Sequence, residues 1–131
     1  MKKYIILMLI VLLNGACSDR KDGDWDNNIK LSQKEFQFDS LENAAIIATE
    51  GDSWWISEIF FKDGQSFDIR NIDTTSHNFI IRKSTFTLER KNGKEIVIKL
   101  FENTSGAERI LTVRLQAGNY FDGIIITQST D

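Results

Sequence analysis

From residue 29 onward, apolar and polar residues alternate with a period close to two, the repeat of a strand that buries one face. In the clearest runs, residues 96–100, 111–115 and 124–126, every second residue is aliphatic. The same stretches are rich in β-branched and aromatic residues, which pack well on a pleated surface. The pattern therefore predicts short, half-buried strands through most of the chain.

Turn-forming residues separate these runs, and Asn92-Gly93 is the sharpest turn signal. Because Asn and Gly tolerate positive φ at both central turn positions, we expect residues 86–90 and 95–101 to form a hairpin. Residues 41–50 have helical propensity with Ser40 as an N-cap, but a lone helix of this length is marginal, and the neighbouring strands favour a strand. Seven or eight strands without a helix predict an all-β fold, an immunoglobulin-like antiparallel β-sandwich.

Composition excludes more functions than it indicates. A chain of 131 residues suits one domain. Its single cysteine excludes an internal disulfide and a cysteine-based zinc site, and its single histidine excludes any site built from two imidazoles. Because 19 acidic residues outnumber 16 basic ones, for a formal charge of −3, we expect no nucleic-acid partner.

The first residues have the character of an export signal. Lys2 and Lys3 precede an apolar run, residues 4–13, that is too short to cross a bilayer. The run leads into Gly15-Ala16-Cys17, which resembles the end of a bacterial lipoprotein signal, where a peptidase cuts before the cysteine and its sulfur receives diacylglycerol. The resemblance implies a signal peptide at residues 1–16 and lipidation of Cys17. The alternative is an ordinary secretory peptide cut near Ala16, which would leave a free thiol.

Residues 17–28 are polar and acidic, and we interpret them as a flexible tether before a domain at residues 29–131. Acidic residues directly after the cysteine resemble the export signal of surface lipoproteins in Bacteroidetes, so we expect a lipid-anchored protein of the bacterial outer membrane, on its surface or its periplasmic face. Asp22, Asp24 and Asp26 alternate as calcium ligands do in an EF-hand loop, but Asn27 replaces the required glycine. No metal site is predicted. Loss of residues 1–16 would remove two lysines and no acid, which lowers the charge from −3 to −5.

The stretch Gly51-Asp52-Ser53-Trp54-Trp55-Ile56 resembles the tryptophan-containing strand of BACON domains, the Bacteroidetes-associated modules named for carbohydrate binding. The resemblance covers residues 31–128 and continues through residues 96–103, 109–115 and 124–128. The stretch 63–84 is longer than is usual in the family. The resemblance implies an immunoglobulin-like sandwich on a lipoprotein that serves as a spacer or binding accessory.

The tryptophans carry the candidate binding site. Adjacent strand residues point to opposite faces, so Trp54 and Trp55 cannot both face the core of a regular strand. The resemblance to BACON domains implies that Trp54 and Ile56 face inward and that Trp55 faces outward. An exposed indole can stack on the apolar face of a pyranose while neighbouring polar groups bind its hydroxyls. The alternative is that residues 63–84 cover Trp55. Trp25, in the tether, is a second candidate.

No catalytic centre is predicted. His77 could act as a base for Ser76 with Asp73 orienting it, but triad partners normally come from separate elements held by a scaffold. The chain has no GxSxG, HExxH or phosphate-binding glycine motif, and no cofactor is expected. Asn103, Arg109 and Gln128 are interpreted as structural residues that satisfy main-chain groups.

The sequence thus predicts a non-catalytic, membrane-anchored lipoprotein. Its sandwich would bind a polysaccharide or act as a spacer or scaffold in the bacterial envelope. The alternative is a protein–protein interaction module that pairs an exposed sheet edge with an envelope protein and binds no carbohydrate.

Overall fold

Eight β-strands form two four-stranded sheets in the computed structural model, which describes residues 26–131. The strands are β1 (Glu35–Phe38), β2 (Asn43–Ala48), β3 (Trp55–Phe61), β4 (Phe79–Arg82), β5 (Phe86–Lys91), β6 (Glu95–Leu100), β7 (Arg109–Ala117) and β8 (Tyr120–Gln128). The first sheet has the order β1-β8-β7-β3 and the second β2-β6-β5-β4. Neighbouring strands are antiparallel except β1 and β8, which are parallel. The immunoglobulin-like sandwich is confirmed, and the described residues contain no helix.

The core lies between the two sheets and consists of the inward-facing residues of the alternating runs. Ile96, Ile98 and Leu100 of β6 are fully buried, as are the inward-facing residues of β7 and β8. Burying an aliphatic side chain of this size stabilises the fold by about 1.5–3 kcal/mol. The alternation in the sequence therefore identified the main source of stability correctly.

Two local predictions are confirmed. β5 and β6 form an antiparallel hairpin whose turn residues Asn92 and Gly93 have φ values of 51° and 78°. Asn43–Ala48 is a strand that pairs with β6, not a helix.

The long stretch 63–84 covers the free edge of β3 and contributes β4, a strand that the sequence analysis did not predict. The Thr74 hydroxyl accepts a hydrogen bond from Ile56 N and donates one to Ile56 O, both at 3.1 Å. The ring of Phe67 packs edge-on against that of Phe86, with 5.0 Å between centroids. The edge strand is therefore closed by side chains as well as by main chain.

Ile29 is the first core residue along the described chain and is fully buried. Its carbonyl accepts hydrogen bonds from Glu50 N at 3.0 Å and Gly51 N at 3.2 Å. The predicted signal peptide, most of the predicted tether, Cys17 and Trp25 lie outside the described residues.

Candidate functional site

The outer face of the first sheet brings together aromatic and polar side chains from three strands. In one row across the sheet, Trp55 of β3 pairs with Gln116 of β7, which pairs with Phe121 of β8. Strands in a sheet are about 4.8 Å apart, so the backbones of the two aromatic residues lie roughly 9–10 Å apart with an amide between them. Phe121 is 56% exposed and Trp55 is half-buried.

The next row carries an ion pair beside a β-bulge. The register of β3 against β7 shifts between Ile56 and Glu58, so that both Ser57 and Glu58 are exposed. Glu58 Oε2 lies 3.1 Å from Arg114 Nη1, and the Ser57 hydroxyl donates to the Arg114 carbonyl at 3.3 Å. The Arg114 guanidinium lies 5.5 Å from the centroid of the half-buried Phe60 ring in the following row.

Two hollows meet at this bulge. One, of about 500 Å³, opens between the bulge, Arg114 and Phe121, and the other, of about 370 Å³, opens between the bulge and residues 66–70. Ser57 and Glu58 line both hollows, and we call the two hollows together the trough. Its lining residues are Ser57, Glu58, Ser66, Phe67, Asp68, Ile69, Arg70, Arg114 and Phe121.

Gly123 lies beside the trough, where it pairs with Arg114. Its φ is not positive, and a Cβ placed there would meet only the Val113 carbonyl oxygen, at an ordinary 3.5 Å. The fold therefore does not require glycine here, although glycine weakens a strand interior. Glycine at such a position often marks close approach of a ligand or another chain.

The structure places the predicted binding residues as follows. Trp54 and Ile56 face the core, 2% and 3% exposed, and Trp55 lies on the opposite face, as the strand parity predicts. The Trp54 indole N–H donates to Gly51 O at 3.1 Å and to the Thr49 hydroxyl at 3.2 Å, so this ring is structural. Trp25 lies outside the described residues.

Arg90 is a buried cation that the sequence analysis did not identify. It is 0% exposed, and its guanidinium carbon lies 3.5 Å from the centroid of the Trp54 ring. Burial lowers the pKa of this guanidinium below its ordinary value. It donates to five main-chain carbonyls, those of Asp52, Trp54, Thr74, Ser76 and Gly93. Arg90 thus ties three loops together at one end of the sandwich.

His77 lies on the surface above this cluster and not with the partners considered for catalysis. Its Nε2 is 4.0 Å from Asp52 Oδ2, and its side chain is 54% exposed. The Asp73 carboxylate instead accepts hydrogen bonds from the Thr75 main-chain N–H and hydroxyl, which lower its pKa. The Ser76 hydroxyl bonds within its own turn to Asn78. The structure therefore does not bring Asp73, Ser76 and His77 together as a catalytic group.

Three polar residues close the opposite end of the sandwich, in the roles predicted for them. Asn103, 1% exposed, donates to Ala107 O at 2.8 Å and to Ser129 O at 3.0 Å. Gln128, 0% exposed, accepts from Arg109 Nη2 at 2.9 Å. Burial lowers the pKa of the Arg109 guanidinium.

Within residues 26–131, no group of three or more His, Cys, Asp or Glu side chains is arranged to hold a metal ion. The same part of the chain has no helix long and apolar enough to span a membrane.

No family model matches the sequence, nor does any curated protein sequence. The NMR structure of a protein from Bacteroides thetaiotaomicron is similar, with a TM-score of 0.64 and 19% identity over 88% of this chain and 98% of that chain. A Bacteroides ovatus GH5 xyloglucanase in complex with a XXXG heptasaccharide is also similar, with a TM-score of 0.51 and 19% identity. That match covers 79% of this chain but 19% of the xyloglucanase chain. At these identities the likenesses show a shared fold.

Proposed function

We propose that this protein is a non-catalytic glycan-binding module whose ligand lies on the outer face of the first sheet. The observation that carries the proposal is the row of Trp55, Gln116 and Phe121 beside the trough. Aromatic faces accept the apolar face of a pyranose, while amide, hydroxyl and charged groups at the same surface bind its hydroxyls. Gly123, which pairs with Arg114, adds no side chain to this face beside the trough.

The fold comparison is compatible with this role. A segment of a Bacteroides ovatus xyloglucanase has a similar fold. A scaffold or spacer role in a glycan-handling assembly uses the same sandwich and needs no catalytic group.

The test is binding of the full-length chain to a panel of soluble polysaccharides, by affinity gel electrophoresis followed by calorimetry. Trp55→Ala and Phe121→Ala are each expected to weaken binding about tenfold, since an aromatic contact contributes roughly 1 kcal/mol beyond its buried area. Ile46→Ala, an exposed apolar residue on the second sheet, is the matched control and should bind as the wild type does. Wild-type affinity in both aromatic variants would overturn the proposal.

The edge of β2 supports a second candidate function, recognition of a protein strand. The strand has no charged residue, Ile46 is 67% exposed, and β6 is the sheet neighbour of β2 in the described structure. At one end the open side is occupied, because Ala48 N donates to the Ser32 hydroxyl at 2.9 Å. Alternation along the strand places the main-chain groups of Ile46 on the same open side as those of Ala48. The Ala44 N–H, on the same side, donates to Asn43 Oδ1 at 2.8 Å, so the open part of the edge lies at Ile46. An uncharged edge of this kind can accept an added strand there.

Ile46→Lys tests this candidate, because an edge lysine opposes strand addition. The substitution is expected to abolish capture of a reproducible envelope partner in cross-linking of whole cells, whereas Trp55→Ala should leave capture intact. A partner captured equally by both variants would contradict recognition at this edge.

We further propose that Cys17 carries a lipid that anchors the protein to the outer membrane. The Gly15-Ala16-Cys17 sequence after a short apolar run supports this proposal. Cells fed an alkyne-labelled fatty acid should label the wild-type protein and not Cys17→Ser, which should leave the membrane fraction. Equal labelling of the two proteins would contradict lipidation at this residue.

A further inference from the structure

Both cations that line the trough already contact a carboxylate. Arg114 lies 3.1 Å from Glu58, and Arg70 donates to both oxygens of Asp68 at 3.0 Å. The hydrogen bond from Arg70 holds the pKa of the Asp68 carboxyl well below its usual range, so that this group stays anionic. The ammonium of Lys83, a neighbouring cation, donates a hydrogen bond to the Asp68 main-chain oxygen at 2.9 Å.

These two ion pairs favour a neutral ligand over an anionic one. At either arginine an anionic sugar would compete with a carboxylate for the guanidinium and would meet that carboxylate at close range. A neutral sugar meets no such cost, since its hydroxyls can donate to Glu58 and accept from Arg114 without breaking the pair. The trough therefore resembles a neutral surface with fixed donors and acceptors.

The shape of the trough bears on how a ligand would lie. It runs from Phe121 on β8, past Arg114 on β7 and the bulge of β3, to residues 66–70. Both ends are open, because Phe121 is 56% exposed and the Arg70 side chain is 91% exposed. A polymer can enter at one end and leave at the other.

We propose that the trough binds an internal stretch of a neutral polysaccharide across the strands and that its two ion pairs exclude uronate and sulfated glycans. This inference rests on the proposed glycan-binding function and names the ligand class of the same site.

The experiment compares the full-length chain on neutral and anionic polymers. Xyloglucan, galactomannan and a mixed-linkage β-glucan represent the neutral class, and polygalacturonate and a sulfated galactan represent the anionic class. At least one neutral polymer should retard the protein in affinity gels, with no retardation by the anionic ones. Reducing the terminal sugar of the bound polymer to an alditol should leave the affinity unchanged, since an internal stretch is bound.

Two variants sharpen the comparison. Glu58→Gln frees Arg114 and should raise affinity for polygalacturonate by about tenfold. Glu42→Gln breaks a comparable exposed pair with Lys99 at 4.0 Å, outside the trough, and should give no such gain. Gly123→Val should weaken neutral-polymer binding with no loss of melting temperature, because a valine suits a strand and its bulk would stand on the outer face beside Arg114.

The outcomes separate the two proposals. Binding of the wild-type protein to the anionic polymers would overturn the inference but leave the proposed glycan-binding function standing. An equal gain in affinity for polygalacturonate in Glu58→Gln and Glu42→Gln would do the same. Loss of affinity on reduction of the terminal sugar would overturn the internal mode of binding. Binding to none of the polymers would overturn the proposed function and the inference together.

Discussion

Arg90 shows how one residue can hold the loops at one end of the sandwich. Its neighbours are main-chain carbonyls, which attract the guanidinium by their dipoles and give each of its three nitrogens at least one acceptor. The Trp54 ring covers its face at 3.5 Å. The arginine is thus compensated without a buried carboxylate in direct contact.

Arg90→Lys is expected to lower the free energy of unfolding by about 2–4 kcal/mol. A lysine ammonium has three donors and no planar face, so it cannot reach five carbonyls and stack on Trp54 at once. Urea denaturation followed by circular dichroism measures the change. Arg82→Lys, at an exposed position of β4, is the control and should change stability by less than about 0.5 kcal/mol. A small effect in both variants would show that Arg90 is dispensable.

The alternation along β5 indicates that Arg90 is buried, but a general rule about arginine argues against that assignment. Phe86 and Leu88 face the core, so the two-residue period also places Arg90 inward. Arginine is seldom fully buried, and the usual assignment of a charged strand-end residue is to solvent. The acceptors that overcome this rule come from loops 14 to 38 residues away in sequence, apart from Gly93. Those loops come together only in the fold.

Stability at alkaline pH should depend on Lys34, Asp122 and Tyr120. The Lys34 ammonium lies 3.0 Å from Asp122 Oδ2, and this hydrogen bond raises the pKa of Lys34 above 10.5. Burial raises the pKa of Tyr120 above 10.0. For a group whose pKa is higher in the folded state, the stabilisation is complete below the unfolded pKa and is lost as pH rises through the folded value.

The melting temperature of the wild type should therefore fall more steeply between about pH 10 and pH 12 than that of Asp122→Asn, which removes the carboxylate from both groups. Calorimetric scans across this range provide the measurement. Parallel curves for the two proteins would contradict the assignment.

At the scale of elements, Gly51 shows why the turn before β3 needs a glycine. A Cβ at this position would lie 2.0 Å from the main-chain oxygen of Asn28, where the chain enters the sandwich. Gly51→Ala is expected to push residues 28 and 29 away and to expose Ile29, at a cost of about 2–4 kcal/mol. Hydrogen exchange of the Glu50 and Gly51 amides, which donate to Ile29, should accelerate together.

Gly123→Ala is the matched control for Gly51→Ala, because its Cβ has room and its φ is not positive. It should leave stability unchanged or raise it by about 0.5–1 kcal/mol. Equal destabilisation by the two substitutions would refute the role assigned to the Asn28 contact.

The sequence predicted the secondary-structure elements better than it predicted which of them lie side by side. The hairpin at Asn92-Gly93 follows from a local rule, and the inward position of Trp54 was implied by the resemblance to BACON domains. Both were confirmed. The trough could not be predicted in this way, because Glu58 and Arg114 are 56 residues apart and meet only through the pairing of β3 with β7. Alternation shows which residues face outward, but strand order decides which of them lie side by side.

At the scale of the molecule, the last strand closes the sandwich. β8 pairs in parallel with β1, which joins residues 35–38 to residues 125–128. From the first sheet, Gln128 Nε2 donates to Phe101 O at 2.9 Å, just beyond the end of β6 in the second sheet. One buried amide therefore links the two sheets.

Contacts between distant parts of a chain tend to form late, because loop closure must precede them. Gln128→Met should lower the free energy of unfolding by about 1–3 kcal/mol, since it removes the acceptor of Arg109 Nε and one of the donors to Phe101 O. The loss should appear mainly as faster unfolding with nearly unchanged refolding, as for an interaction absent from the transition state. Stopped-flow tryptophan fluorescence in urea measures both rates, with exposed Gln37→Met of β1 as the control. If refolding instead slows in proportion to the lost stability, the pairing of β8 belongs to the folding nucleus. The contacts of Gln128 would then be among the first long-range contacts to form.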